Sequence, residues 1–143
     1  MRPLSLTAAA RAARNAACIQ LADAGAGNAS IRLLTAATGG ALLAVRQLAK
    51  PCGNVRADGR LTLLPAAAND DVVLETGAAT WAQWCAADGT VLAEGQVTDE
   101  AGGASAGGNI ADTGDVGPWV LGGTSGTLLY AGGLVLLTAG VIG

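Results

Sequence analysis

The stretch that decides the fold is TWAQWCAADGTVLAEGQV, residues 80–97. Asp88-Gly89 divides it into two strand-like halves, and this dipeptide favours a tight hairpin turn because glycine readily adopts a positive φ. Side chains one residue apart on a strand point to opposite faces, so Trp81 and Trp84 leave the first strand in opposite directions. One of the two can anchor a core, whereas the other needs a second layer, a loop or a partner protein to cover it.

The composition favours a thin, sheet-like core. The chain has 143 residues, of which 51% are hydrophobic and 22 are glycine, yet aromatic residues make up only 3% and phenylalanine is absent. Most of the apolar residues are alanine, which buries little area. One helix followed by many short segments between Gly, Asn and Asp turns predicts a mainly β protein, namely a jelly-roll-like β-sandwich preceded by one N-terminal α-helix.

The predicted organisation is an N-terminal arm at residues 1–6, a helix at 7–24 and a single β-sandwich domain at 25–143. Thr7 is the expected N-cap of the helix and Gly25 the expected C-terminal stop. Helical spacing predicts one apolar stripe, which packs closely against a neighbouring element, and one polar stripe. The apolar stripe consists of Leu6, Ala10, Ala13, Ala17 and Leu21, and the polar stripe of Arg11, Arg14 and Asn15.

Turn-forming residues divide the rest of the chain into short strands. A second Asp-Gly turn is expected at Asp58-Gly59, and Pro51 and Gly53 are expected to interrupt a strand. The acidic, glycine-rich residues 98–115 are predicted to form a long loop with one short strand near 109–111. Besides the hairpin, strands are predicted at residues 29–35, 41–48, 54–56, 60–64, 72–74, 78–86, 118–121, 127–130 and 134–142.

The sequence lacks the residues that common enzyme chemistry needs. It contains no histidine, which removes the commonest general base and the commonest metal ligand. Cys18, Cys52 and Cys85 are far apart and odd in number, so we interpret them as reduced thiols of a protein made in a cytoplasm. We expect no catalytic residue, no metal site and no cofactor. Calcium binding by the acidic loops is a minor alternative, because such carboxylates usually mark a solvated surface.

Charge and hydropathy exclude two further classes of partner. The formal net charge is −3, and no basic patch is available to follow a phosphate backbone, so we do not expect nucleic-acid binding. The apolar residues 128–142 are fewer than the roughly 20 that a membrane-spanning helix needs, and they include glycines. We interpret them as buried β-structure and expect no contact with a membrane.

The hairpin resembles a motif of a known group of proteins. GAATW at residues 77–81, Asp88-Gly89 and EGQV at 94–97 are similar to a hairpin in small virion proteins of tailed phages. Within that group the chain most resembles capsid cement (decoration) proteins of the kind found on the Bordetella tropism-switching phage. The order of elements matches over most of the chain, but the specific match is confined to the hairpin, and residues 98–115 depart from it. The resemblance implies a jelly-roll-like subunit, self-associated on the outside of an HK97-fold shell and bound across capsomer boundaries.

The expected function is therefore structural and non-enzymatic. The resemblance implies a protein made in the cytoplasm of a bacterial host and located on the outer capsid surface of a virion. Its expected partners are the major capsid protein and copies of itself, as a dimer or trimer. A tail or neck component is the alternative. A carbohydrate-binding β-sandwich, in which exposed tryptophans stack on sugar rings, is a weaker alternative.

Arginines near the N-terminus are the first interface candidates. Arg2, Arg11 and Arg14 are three of the eight cations of the chain, and no acidic residue precedes Asp23. The N-terminal end is therefore positively charged whereas the rest of the chain is acidic, and we expect this end to contact acidic loops of the capsid. The alternative is a helix that covers the open face of the sandwich and keeps its arginines in water.

Two tryptophans, Trp84 and Trp119, complete the interface candidates. Tryptophan is enriched at protein interfaces, and Trp119 follows Pro118 in a glycine-rich context. Core packing is the alternative for either tryptophan, with Trp119 closing one end of the sandwich.

Overall fold

The structure, a computed structural model, describes residues 4–67, 71–100, 119–122, 126–138 and 141–142. Within these residues the chain forms one α-helix, α1 (Ala8–Ala22), and ten β-strands. The strands are β1 (Ser30–Leu34), β2 (Leu42–Val55), β3 (Leu61–Pro65), β4 (Gly77–Ala78), β5 (Trp81–Cys85), β6 (Val91–Asp99), β7 (Trp119–Leu121), β8 (Leu128–Leu129), β9 (Leu137–Thr138) and β10 (Val141–Ile142).

The C-terminal strands bring the two ends of the sheet together. Eight strands pair in the order β10-β3-β2-β1-β5-β6-β7-β9, and β4 pairs separately with β8. Strands β6 and β7 run parallel, and the other pairs of these strands are antiparallel. Although β9 and β10 lie at opposite ends of this order, only residues 139–140 separate them in the chain. Because so short a link spans about 10 Å at most, the two ends must approach each other and the sheet curls.

This architecture confirms the predicted mainly β fold with one N-terminal helix. The curled sheet is consistent with a jelly-roll-like β-sandwich, and the hydrophobic core lies inside the curl. Small alanines fill part of this core, as the composition led us to expect. The largest fully buried apolar side chains are Ile31, Leu33, Leu43, Leu48, Leu61, Leu63, Trp84, Val97, Leu121 and Val135.

The central hairpin forms as the Asp-Gly signal predicts. Strands β5 and β6 pair antiparallel with Trp81 opposite Gln96, and Gly89 takes a φ of +91° in the turn. Trp84 is buried whereas Trp81 is half-buried, so the two indoles lie on opposite faces as predicted. Strand β6 continues to Asp99, which is buried. The predicted loop therefore starts later than residue 98, and its remainder, with the short strand near 109–111, lies outside the described residues.

Strand β2 is longer than predicted. We expected Pro51 and Gly53 to interrupt it, but β2 runs from Leu42 to Val55. The ladder with β3 shifts its register between Leu48 and Gly53, and Pro51 lies exposed within this irregularity. An irregular stretch tolerates proline because the missing N–H is not needed by a regular ladder.

The helix begins where predicted and ends earlier. The Thr7 hydroxyl oxygen accepts a hydrogen bond from the Ala10 N–H at 3.2 Å, which confirms Thr7 as the N-cap. At the other end the C-cap is Asp23 rather than Gly25. The Asp23 carboxylate accepts the Cys52 N–H at 3.0 Å, which ties the end of the helix to β2.

The helix packs through a mixed face that joins Arg11 and Asn15 of the predicted polar stripe to the apolar Cys18, Ile19 and Ala22, whereas Arg14 is exposed. The side-chain amide of Asn15, which is fully buried, donates to the Gly59 carbonyl at 2.8 Å and to the Ile142 carbonyl at 3.3 Å. Carbonyl groups buried at a turn need donors, and the polar side chains of this face supply them where apolar side chains cannot. The predicted apolar stripe lies instead on the exposed side: Leu6, Ala10, Ala13, Ala17 and Leu21.

Two glycine substitutions test this docking. A Cβ at Gly59 would collide with the Ala8 carbonyl oxygen, whereas a Cβ at Gly39 meets nothing within 4 Å. Both glycines have a positive φ, +82° and +68°. We expect Gly39→Ala to cost about 1–2 kcal/mol from backbone conformation alone, and Gly59→Ala to cost about 1–3 kcal/mol more from the collision with the helix. Urea unfolding measures both, and equal losses would contradict the docking.

Candidate interaction surfaces

The three arginines that we predicted to contact the capsid differ in their surroundings. Arg2 lies outside the described residues. Arg11 donates from Nε and Nη2 to the Asp58 carbonyl at 3.1 and 2.9 Å, and from Nη1 to the Leu6 carbonyl. We therefore correct the assignment of Arg11 to capsid docking, because its guanidinium holds the helix on the β2–β3 turn. Arg14 is exposed and forms no hydrogen bond or ion pair with any described residue.

Trp84 and Trp119 are covered by the chain itself. Their exposed fractions are 1% and 3%, and both belong to the core cluster. The inward face of β5 carries Trp84, and the first residue of β7 is Trp119. We correct their assignment as interface residues, because neither side chain offers surface to a partner. Trp81 is the tryptophan that the fold leaves half-buried.

An apolar surface lies on the outside of the C-terminal part of the sheet. On both sides of the turn at residues 131–132, burial alternates along the chain. Side chains at odd positions are buried (Thr127, Leu129, Val135 and Leu137), and those at even positions are exposed by 39–65% (Leu128, Tyr130, Leu134 and Leu136). The exposed positions of a half-buried strand are usually polar, and here all four are large and apolar.

A neighbouring segment extends this surface. Val72 pairs antiparallel with Leu134, and Val72 and Leu74 are exposed by 46% and 60% on either side of the buried Val73. Because paired residues and their alternate neighbours share one face of a ladder, Val72, Leu74, Leu134 and Leu136 lie on the same face. The exposed Tyr130 lies across the turn, where its carbonyl accepts the Gly133 N–H at 2.9 Å. We call these five residues the apolar strip.

The apolar strip rests on a well-connected backbone. The Val73 N–H donates to the Gly133 carbonyl at 2.8 Å, and the Val135 N–H donates to the Asp71 carbonyl at 3.0 Å. Beneath the strip, Arg46 forms an ion pair with the Asp71 carboxylate at 3.1 Å and donates to the Val135 carbonyl at 3.4 Å. The strip is therefore part of the folded wall rather than a loose loop.

The sequence carried a signal for the apolar strip that we interpreted incompletely. A continuous apolar run such as residues 134–137 is typical of strands that are buried on both faces. We predicted buried β-structure there, but the chain covers only one face of the run. The other face is bare in the single chain.

The outer face of the central hairpin combines one indole with polar side chains. Trp81 Nε1 donates to Glu94 Oε2 at 3.1 Å, and Gln83 Nε2 donates to the same oxygen at 2.9 Å. Both hydrogen bonds hold the pKa of the Glu94 carboxyl below its usual value, and the bond from Gln83 has the larger effect. Across the ladder, Arg32 lies opposite Gln83 and Gln96 lies opposite Trp81. We call these five residues the polar–aromatic face.

A small, partly open pocket lies between the two ends of the sheet. Its volume is about 100 Å³, and it is lined by Arg46 and five apolar residues, among them Leu63 of β3 and Leu137 of β9. Ligand pockets usually measure about 300–1,000 Å³. The shared lining of β3 and β9 supports the approach of the two ends of the sheet.

The three cysteines are free thiols. Cys18 is half-buried, and Cys52 and Cys85 are buried. Burial, followed by the negative charge of Asp23 and a side-chain hydrogen bond with it, raises the pKa of Cys52 to about 12. Burial also raises the pKa of Cys85. Because the thiolate is the nucleophile and the metal ligand, Cys52 and Cys85 act as small core side chains.

Comparison with known proteins leaves the function to be argued from the chain itself. No protein-family model, curated protein or solved structure matches this chain. In the part of the chain that the structure describes, no group of three or more metal-ligating side chains comes together. No described helix is long and apolar enough to cross a membrane.

Alkylation of the native protein tests the helix–sheet contact at Cys52. With iodoacetamide at mildly alkaline pH, we expect Cys18 to be labelled first, whereas Cys52 and Cys85 stay unlabelled because they are buried and protonated. Mass spectrometry of peptides measures the labelling at each cysteine, and protein unfolded in urea, in which all three react, is the control. Labelling of native Cys52 as fast as Cys18 would show that Asp23 and the helix end do not cover it.

Proposed function

We propose that this protein is a non-enzymatic structural component of a phage virion that self-associates and cements the outside of an HK97-fold capsid. The observation that carries the proposal is the apolar strip, an exposed surface on hydrogen-bonded backbone whose residue types suit burial in an assembly. The resemblance of the hairpin residues to capsid cement proteins is the reason for proposing a phage capsid as the assembly. A tail or neck location is the alternative, because the same strip serves any assembly of copies.

The composition of the apolar strip favours a second copy of this chain as its occupant. The strip contains no charged residue and one polar group, the Tyr130 hydroxyl. Interfaces of permanent homo-oligomers are more apolar and poorer in charge than those between separately folded partners. Burying such a surface contributes roughly 25 cal/mol per Å² of apolar area, from which the entropic cost of association is subtracted. A two-fold axis near the Val72–Leu134 pair would place the Tyr130 end of one strip against the Leu136 end of the other.

The exposed side of α1 is the surface that we assign to the shell. It presents Arg14 next to small apolar residues, in an otherwise acidic protein. A cation at this position meets acidic capsid loops favourably, and such complementarity sets orientation and association rate more than affinity. Self-association through the apolar strip then joins several copies, each of which makes a weak contact with the shell. Once one copy is bound, the effective concentration of the others near the shell is high, and this raises the occupancy of the sites on the shell.

A charge placed in the middle of the apolar strip tests self-association. We expect the wild-type protein to sediment as a dimer or trimer at micromolar concentration. Leu134→Lys would have to bury an unpaired ammonium, so its self-association should weaken at least about 30-fold. Val91→Lys is the matched control, because Val91 is exposed by 43% but lies on β6 outside the strip. A monomeric wild type, or unchanged association of Leu134→Lys, would contradict the role of the strip.

Addition of purified protein to capsids that lack it tests attachment to the shell. We expect saturable binding by the wild type, and about tenfold slower binding at low salt for Arg2→Glu/Arg14→Glu, because the substitutions reverse the local charge. Arg60→Glu is the control, since this exposed arginine precedes β3. Arg11 is left unchanged because it holds the helix in place. No binding by folded wild-type oligomers would overturn the capsid assignment, whereas full-rate binding by the double variant would remove only the arginines from it.

A further inference from the structure

The polar–aromatic face presents polar groups and one indole on the outside of the fold. It lies on the outside of β1, β5 and β6, on the opposite side of the sheet from the core residues Ala82 and Trp84. Cross-strand neighbours on one face are about 5 Å apart. Arg32, Gln83 and Glu94 therefore form one row across the three strands, and Trp81 belongs to the next row.

Glu94 is held in place although it is exposed. Two donors, Trp81 Nε1 and Gln83 Nε2, converge on its Oε2 atom. No described residue donates to Glu94 Oε1 or to the amide oxygen of Gln83, and Glu94 is exposed while Gln83 is half-buried. An exposed glutamate is normally mobile, and ordering it costs conformational entropy. Here two hydrogen bonds already orient the carboxylate, which lowers the entropic cost of binding a ligand.

The chemistry of this face selects a neutral, polyhydroxylated ligand. The face of an indole is negative, so it attracts the slightly positive C–H groups on one side of a sugar ring. A carboxylate and an amide oxygen accept hydrogen bonds from hydroxyl groups, and the guanidinium of Arg32 donates. The charge of Glu94 repels a phosphate or a nucleic acid, and the charge of Arg32 disfavours a cation.

We infer that the polar–aromatic face binds carbohydrate, with Trp81 stacked against a pyranose ring while Glu94 and Gln83 accept hydrogen bonds from its hydroxyl groups. This assignment is independent of the capsid proposal, because it concerns a different surface from the apolar strip. On a particle it would give the protein a second role, the attachment of the particle to a glycan.

Tryptophan fluorescence gives a direct test on the full-length protein. Trp84 and Trp119 are buried within the chain, so acrylamide quenching of the native protein reports mainly on Trp81. The probes are oligosaccharides of glucose, galactose, mannose and N-acetylglucosamine, first on a glycan array and then in solution. We expect at least one class to bind and to protect the emission from acrylamide. If no glycan on the array binds the folded wild-type protein, the inference is wrong.

Substitutions separate stacking from general surface effects. Trp81→Ala should weaken binding of the selected oligosaccharide at least about tenfold, a loss of the size that removal of an aromatic stacking platform causes for nucleic-acid bases. Trp81→Phe keeps an aromatic face and should retain part of the affinity, which covers the case in which the alanine variant folds poorly. Gln47→Ala, an exposed position on the same sheet in β2, is the matched control. Wild-type affinity in a folded Trp81→Ala variant would overturn the assignment.

Discussion

The structure depends on the C-terminal part of the chain, from β8 to β10, which joins the two ends of the sheet. Strands β9 and β10 lie at opposite ends of the strand order and are two residues apart in the sequence. The inward residues of this part, among them Leu129, Val135 and Leu137, fill the core. Closure of the curled sheet requires that the inward side chains of these C-terminal residues be apolar. It does not require apolar side chains on their outward face. The apolar residues on that outward face are therefore best explained by assembly rather than by folding.

The helix completes this arrangement with polar contacts. Arg11 and Asn15 supply donors to backbone carbonyls at the β2–β3 turn and near the chain end. Because the side of α1 that carries Arg11 and Asn15 faces the sheet, the alanine-rich stripe and Arg14 are turned outwards. The same physical cause thus fixes the helix on the sheet and creates the surface that we assign to the shell. A stripe of small residues allows a close approach of another backbone, which suits a flat contact with a larger partner.

Local signals predicted most elements of the fold, whereas long-range contacts decided the surfaces. Asp88-Gly89 predicted the hairpin because a two-residue signal determines a turn. The buried face of α1 could not be predicted, since the carbonyl groups that attract Asn15 come from residues more than 40 positions away. Trp119 could not be placed either, because its burial depends on the parallel pairing of β6 with β7. The apolar strip was visible as an unbroken apolar run, but only the pairing of Val72 with Leu134 shows which of its faces stays bare.

The most direct test of the central claim, that the apolar strip is an assembly interface, is a density map of the assembled particle by electron cryomicroscopy. We expect density for this protein on the outside of the capsid, with the apolar strip of one copy covered by a second copy and the exposed side of α1 towards the shell. A map in which the protein occupies the particle while Val72, Tyr130 and Leu134 remain open to solvent would contradict the claim.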